Sequence, residues 1–314
     1  MRRMLLDCAI IGGGPAGLSA ALVLGRARRT VMLFDDNKPR NAVTRMSHGF
    51  ITRDGISPTE FRALAHKDIQ RYPHVSFSLS RIIDVRMEPN GFTLAGTHGV
   101  DGDGFRLTNT LGQVFRARTI ILATGVKERL PAIAGLAECY GKSLFSCPYC
   151  DGWELRDKPL VIVSESPAAD HLATLVRQWS SNLILCTNGK RSMNEEQIRD
   201  LQMRGIRLIG APIRSLVHQN GQLMRILFHD GGSIERSGGF ISAQWEAAAS
   251  FSEALGCIAN SSGGIATDHY GRTSVKGVYA AGDNGMAGPS QLIIAAGEGS
   301  KAAIGVNTDL TFGF

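Results

Sequence analysis

Residues 8–36, CAIIGGGPAGLSAALVLGRARRTVMLFDD, leave the start of this chain little choice of fold. An apolar run reads as a β-strand. Gly12, Gly14 and Gly17 follow in the pattern G-x-G-x-x-G, and Leu18, Ala21, Leu22 and Gly25 then recur at helical spacing. A second strand, Val31 to Phe34, stops at Asp35, 23 positions after Gly12. Glycines in such a turn let the backbone approach a pyrophosphate lying on the positive end of the helix, and an acid at this distance meets a ribose hydroxyl. A glycine pattern alone also fits an ordinary strand-to-helix turn. Here strand, helix, second strand and terminal acid stand in register, which points to a bound dinucleotide.

The chain has 314 residues, room for about two domains at roughly 150 residues each. A second strand–helix–strand unit is predicted in KPLVIVSESPAADHLATLVRQWSSNLILCTNG, with strands at 160–163 and 183–186 and a helix at about 168–179. Leu172, Leu175, Val176 and Trp179 form its apolar stripe. Its turn, Ser164-Glu165-Ser166-Pro167-Ala168, lacks the glycines of the first. Between the units, residues 75–118 read as β-hairpin material: VSFSLSRIIDVRM and GFTLAG alternate, and a turn falls at Leu111-Gly112. Residues 273–306 read as a strand, a Gly282-Asp283 turn and a helix rich in small residues. A Gly-Asp turn at the carboxyl end of a strand lies where ligands bind in open α/β sheets.

Lys and Arg number 34 against 28 Asp and Glu, a net charge of +6, and the pI is about 9.1. No run of five basic residues occurs, so nucleic acid is not an expected partner; the excess favours an acidic protein partner by steering. Asp7 breaks the first apolar run, which therefore reads as a strand and not a signal peptide. No apolar stretch reaches the roughly 18 residues of a membrane span. Cysteines stand at 8, 139, 147, 150, 186 and 257. One close pair and four singles do not make a secreted disulfide framework, and a cytoplasmic location is expected.

The close pair lies in FSCPYCDGWE. Three chemistries suit it: half of a zinc site, a structural crosslink, or a disulfide that opens and closes in catalysis. Zinc needs a second ligand pair, yet there is no second CxxC, and His66 and His74 stand eight apart; no metal is expected. A crosslink closing so short a loop adds little stability. Redox exchange is the reading the residues favour. A helix start lowers a thiol pKa, and Pro148 suits the first turn, where a missing N–H is harmless. Cys8, Cys139 and Cys186 sit in apolar surroundings and read as inert buried thiols; Trp153 and Trp179 read as packing residues. His48 stands a short loop after the second strand. A proton-shuttling role is conceivable for it, but a solvated or core histidine is the plainer reading.

Taken together, GGGPAG at 12–17, ATG at 123–125, CPYCDG at 147–152, GVYAAGD at 277–283 and QLIIAAGEG at 291–299 resemble the low-molecular-weight thioredoxin reductase family of flavoproteins over essentially the whole chain. The resemblance implies an α/β protein with two Rossmann-like, three-layer nucleotide-binding domains, the second inserted in the first. Residues 1–129 and 241–314 would form a discontinuous FAD-binding domain, and 130–240 an NADPH-domain-like insert carrying the CxxC. FAD would be held by Gly12, Gly14, Pro15, Ala16 and Gly17, by Asp35 and Asp36, by Thr124 and Gly125, and by Gly282, Asp283, Gln291 and Leu292. Cys150 would be the sulfur facing the flavin, Cys147 the one meeting the substrate, and Asp151 the proton donor or acceptor. A homodimer is the family's usual state.

Two departures from the family pattern bear on the electron source. The SESPAA turn stands where the insert's G-x-G-x-x-A would hold NADPH, and only Lys190 and Arg191 stand in for the basic cluster that grips its 2′-phosphate. The segment PRNAVTRMSHGFITRDG is closer to a branch containing dithiol oxidases and reductase-like proteins of unusual electron source. The leading expectation is therefore a disulfide oxidoreductase that passes electrons from flavin through Cys147–Cys150 to a thioredoxin-like protein or another small disulfide. NADPH would be a poor donor, and reduced ferredoxin, an acidic carrier, a suitable one. The alternatives are a dithiol oxidase using oxygen and, from another class, a non-catalytic flavin and disulfide redox sensor. The C-terminal Phe312 and Phe314 would either cover a flavin face or fray.

Overall fold

The computed structural model describes residues 5–88 and 104–314. The alternating GFTLAG stretch lies outside them. Four parallel strands form one part of the first sheet: Val75–Ser78, Val31–Phe34, Leu5–Ile11 and Val114–Leu122, in that order. Beyond Val114–Leu122 the edge is shared. Its first half pairs antiparallel with Gly104–Asn109, which leads on to Ile82–Glu88. Its second half pairs parallel with Val278–Ala280, Ile120 standing opposite Val278 and Leu122 opposite Ala280. The sequence reading of 75–118 as β-hairpin material is corrected at its start. Val75–Ser78 closes the parallel edge, because Val75 packs under the first helix, where the Gly25 Cα leaves room for it and for Tyr72.

The glycine-rich turn leads into the helix Pro15–Arg26, which lies against the C-terminal helix Leu292–Phe312 on one face of this sheet. Small residues make that contact possible: a Cβ on Gly299 would stand 2.0 Å from the Ala16 carbonyl oxygen. Ala302, Ala303 and Val306 complete the layer over Ile10, Leu33 and Ile121. The opposite face is a separate apolar layer of Leu6, Ile11, Phe34, Leu107, Ile120 and Val278.

A second sheet is parallel throughout, in the order Arg207–Ile209, Leu183–Cys186, Leu160–Val163, Gly238–Ile241 and Leu144–Phe145. Its central strands are buried on both faces, hence their unbroken apolar sequences LVIV and LILC. The helices Ala169–Val176 and Glu195–Met203 cover one face. The antiparallel strands Ile213–Gln219 and Gln222–Phe228 cover the other. The buried stripe of the first of these helices is Ala169, Ala173 and Val176; Leu172 and Trp179 lie only half-buried at its margin, because small residues sit closest to the sheet. Val126–Arg129 and Gln244–Ala247 pair antiparallel as a ribbon that carries the chain from the first sheet to the second and back. Both sheets thus have the layered, Rossmann-like α/β build. No helix among the described residues is long and apolar enough to cross a membrane.

Candidate active site

Three strand ends meet at one edge of the first sheet, and each delivers a glycine. Gly12 follows Leu5–Ile11 with φ +114°, and a Cβ there would stand 2.2 Å from the Ala123 carbonyl oxygen. Only glycine satisfies both demands. Gly17 packs the helix onto the same turn, its missing Cβ 1.9 Å from the Gly12 carbonyl oxygen. Gly14 is different. A Cβ on it would meet nothing within 4 Å, and as the N-cap it offers no side chain to the first-turn N–H groups. Pro15 then opens the helix, with Ala16 buried behind it. Two glycines close the turn, and the third leaves an open, positively polarised helix end. Such a helix end favours an anionic group such as a pyrophosphate.

The other candidates ring this cradle. Asp35 ends its strand as expected, and its carboxylate forms a short ion pair with Arg62, a residue that sequence reading missed. Arg62 also donates to the Asn37 side chain (2.7 Å). Asp36 is exposed. Thr124 Oγ1 donates to the Asn284 side chain at 3.0 Å, and the Asn284 amide donates to the Leu122 carbonyl, so two of the strand ends are tied together. Gly125 (φ +67°) and Gly282 (φ +75°) both need the left-handed region, and the Gly282 N–H donates to Glu298 (2.8 Å). Asp283 accepts from Arg40 Nη2 (2.9 Å) and from Ser290 Oγ (2.7 Å). Gln291 caps the C-terminal helix and Leu292 begins it. That helix runs on unfrayed to Phe312, which is 85% exposed. Phe314 lies under Lys276, before the start of Val278–Ala280 and so at the opposite end of that strand from Asp283. Neither aromatic covers the cradle.

Cys147 and Cys150 sit at disulfide distance, with S–S 2.17 Å and Cα–Cα 5.3 Å. Cys147 is the N-cap of the helix Pro148–Leu155, and Pro148 is its first residue, as the sequence suggested. Gly152 seats this helix on Trp179, whose ring a Cβ would approach to 2.7 Å. Tyr149 meets the same ring edge-on. Trp179 is thus a packing residue, as expected. Trp153 is not: it is 66% exposed, with the Arg156 guanidinium stacked on it.

Asp151 stands in the first turn of that helix. Burial pushes its carboxyl up from the usual aspartate value of 3.8 to about 7, Glu154 adds to the rise, and His48 opposes it. His48 Nδ1 lies 3.5 Å from Asp54 Oδ1, and Nε2 lies 3.6 Å from Glu154 Oε1. The histidine is neither free in solvent nor in the core; it bridges the loop at 47–56 to the redox helix. A carboxyl that takes or releases a proton near neutrality, one residue from a dithiol–disulfide pair, suits thiol exchange.

A half-buried network links the two sites. Glu128, in the ribbon, accepts from Arg40 Nη1 (2.6 Å), from Ser146 Oγ (3.1 Å) and from Tyr140. Burial works against the Arg40 charge, but Asp283 and Glu128 outweigh it and hold the guanidinium charged. The chain of contacts therefore runs from Asp283 through Arg40 and Glu128 to Ser146, the residue before Cys147. Arg40, Glu128 and Tyr140 carried no signal in the sequence, because their partners are 12 to 250 positions away.

The turn at 164–168 has used its own donors. The buried Ser164 hydroxyl accepts from the Ser166 N–H (3.3 Å), and the Ser166 hydroxyl from the Ala168 N–H (3.1 Å). Glu165 is held by the Asn188 amide (2.7 Å), and Asp170 places a negative charge in the first helical turn. Lys190 and Arg191 are exposed. Cys8, Cys139 and Cys186 are buried, as expected; burial drives Cys8 and Cys186 up to about 12 and also raises Cys139.

The family model described as pyridine nucleotide-disulphide oxidoreductase matches residues 6–299. Thioredoxin reductase aclD of Aspergillus oryzae is 30% identical, over 99% of this chain and 98% of its own length. A Bacillus anthracis structure designated thioredoxin reductase TrxB superposes with a TM-score of 0.90 at 44% identity, covering 98% of both chains. An oxidoreductase structure from Agrobacterium tumefaciens gives 0.88 at 33% identity, covering 98% of this chain and 99% of its own. With its glycine cradle, its cysteine pair and these relatives, the chain belongs to the pyridine nucleotide-disulphide oxidoreductase family, as a thioredoxin-reductase-like flavoenzyme whose cofactor is FAD.

Proposed function

We propose that this enzyme moves electron pairs between FAD and the Cys147–Cys150 disulfide and on to a thioredoxin-like protein or another small disulfide, with NADPH a poor or null donor. The observation that carries the donor reading is the 164–168 turn. Two of its N–H groups, those of Ser166 and Ala168, are taken by the Ser164 and Ser166 hydroxyls, and Glu165 and Asp170 put negative charge where two phosphates would lie. Like charges a few ångströms apart cost on the order of 1 kcal/mol even in water. Electrons then come from a reduced acidic carrier such as ferredoxin, which suits the net charge of +6, or from a substrate dithiol.

The first site fits FAD. Gly14 leaves the space a pyrophosphate needs, while Asp35 and Asp283 present carboxylate acceptors to ribose and ribityl hydroxyls. FAD, when bound, supplies two-electron exchange matched to a disulfide. The domain division we adopt follows the same reading: 1–129 with 241–314 holds FAD, and 130–240 presents the cysteines. Cys150 faces the flavin in this proposal, and Cys147, half-buried at the helix start, meets the substrate. Asp151 takes the proton of the thiol that becomes nucleophilic and returns it to the thiolate that leaves.

The same occupied turn favours a second reading. A dithiol oxidase would draw electrons from a substrate dithiol through the cysteine pair and pass them to oxygen, forming hydrogen peroxide. Anaerobic mixing with NADPH, NADH, reduced ferredoxin and a dithiol, each followed at the flavin band, tests the donor. Peroxide release with dithiol in air separates oxidase from reductase. Flavin bleaching by NADPH within about a second, saturating at micromolar concentration, overturns the donor reading.

A further inference from the structure

We propose that His48 is the proton relay of the redox centre, carrying protons between solvent and Asp151 during each turnover of the Cys147–Cys150 pair. This inference rests on the disulfide-exchange reading above. Its ground is the way the loop at 47–56 is built. Ser47 pairs with Ile56 through its backbone, and the Gly55 N–H donates back to the Ser47 carbonyl at 3.0 Å. Gly55 takes φ +76° to make that turn. The loop brings Asp54 under His48, and the Asp54 carboxylate is itself fixed by the Gly49 N–H (2.8 Å). With Nδ1 facing Asp54, Nε2 is left facing Glu154 on the redox helix. A carboxylate on one ring nitrogen orients the ring and selects its tautomer, as in other acid–base sites.

The Asp54 and Glu154 side chains, 71% and 44% exposed, flank His48, which is 23% exposed; Asp151 stands one turn before Glu154 on the same helix, half-buried. Imidazole carries one donor and one acceptor on opposite edges, so it can take a proton on one side and release one on the other. The titratable groups that face this path are Asp54 on the loop and Glu154 and Asp151 on the helix. His48 also lowers the proton affinity of Asp151, against the effects of burial and Glu154.

The chemistry balances without another oxidant. When the reduced pair meets a substrate disulfide, Cys147 bonds to one substrate sulfur and the substrate S–S bond breaks. Cys150 then bonds to Cys147 and releases the second substrate sulfur. Two enzyme S–H bonds are lost and two substrate S–H bonds form. Asp151 accepts a proton from the enzyme thiol, and His48 exchanges it with water, from which the substrate thiolate is protonated. His48 touches no reacting atom, so it acts through Asp151.

The test is anaerobic reduction of the FAD-loaded enzyme by dithiothreitol, followed at the flavin band, for wild type, His48→Ala, His48→Gln and Asp54→Asn. His48→Ala is expected to slow reduction by about 10- to 100-fold, at or below the lower end of the range for direct acid–base assistance because the histidine acts through Asp151, and added imidazole should restore much of the rate. Asp54→Asn should give a smaller loss. In His48→Gln the Asp151 titration, read by carboxyl ¹³C NMR and assigned by its disappearance in Asp151→Asn, should move to higher pH. A His48→Ala rate equal to wild type overturns the proposal. So does a loss that imidazole does not restore, in a variant of unchanged flavin content and melting temperature and with the Asp151 titration unmoved in His48→Gln. A wild-type enzyme that no dithiol reduces overturns the exchange reading and this relay with it.

Discussion

Replacing Asp151 with Asn should stabilise this protein at pH 8 while crippling its exchange chemistry. The reasoning starts from the carboxyl lifted by burial, then by Glu154, from 3.8 to about 7. Below pH 4 it is protonated in the folded and unfolded chains alike. Between 3.8 and about 7 the unfolded chain gives up its proton and the folded chain keeps it. Each pH step there favours unfolding by roughly 1.4 kcal/mol. Above about 7 both forms are ionised, and the cost levels off at about 4 kcal/mol. The stability conferred by the protonated carboxyl is thus whole below pH 4 and lost as pH rises through about 7. Asn is close in shape and never ionises, so it escapes that loss. Urea unfolding of the oxidised, FAD-loaded protein, followed by tryptophan fluorescence, should show Asp151→Asn more stable than wild type. The gap should widen by about 2.6 kcal/mol between pH 5 and pH 8. Exchange with dithiothreitol should fall by roughly 10²- to 10⁴-fold in the same variant. A gap that is the same at both pH values, or a variant less stable than wild type at pH 8, would refute the assignment of a neutral, buried acid beside the cysteines.

Gly17→Ala puts a Cβ 1.9 Å from the Gly12 carbonyl oxygen; the helix must shift off the turn, and purified protein should carry far less than one flavin per chain by absorbance. Cys147→Ser should leave Cys150 as a lone thiolate and produce long-wavelength charge-transfer absorbance, whereas Cys150→Ser should abolish electron transfer between flavin and dithiol; full turnover in either variant contradicts the exchange mechanism. Glu128→Gln leaves Arg40 with a single carboxylate partner and weakens the hold on Ser146 and Tyr140. Loss of one member of such a half-buried cluster costs roughly 1–3 kcal/mol, to be read as a fall in melting temperature, and an unchanged melting temperature would show that the network contributes nothing to the fold.

Much of the architecture was legible before any coordinates. The unit at 8–36 and the strands at 160–163 and 183–186 follow from local patterns: unbroken apolar runs for strands buried on both faces, and small residues where a helix meets a strand turn. Gly12, Gly125 and Gly282 were readable because positive φ is a property of the residue itself. The CxxC at a helix start, with Pro148 in the first turn, was likewise a local matter. What sequence could not show is which distant groups share a space. Val75–Ser78 alternates like a hairpin arm, yet it becomes a parallel edge strand because only that edge lets Val75 and Tyr72 pack on Gly25. Arg62 on Asp35, Arg40 between Glu128 and Asp283, and His48 between Asp54 and Glu154 join loops to elements 6 to 243 positions away. Charged side chains outside the apolar stripes carry no periodicity, so nothing in their spacing announces a partner. The proton affinity of Asp151 belongs to the same class. It is set by how much water the folded chain removes and by which charges it brings near, and both exist only once the sheets have packed.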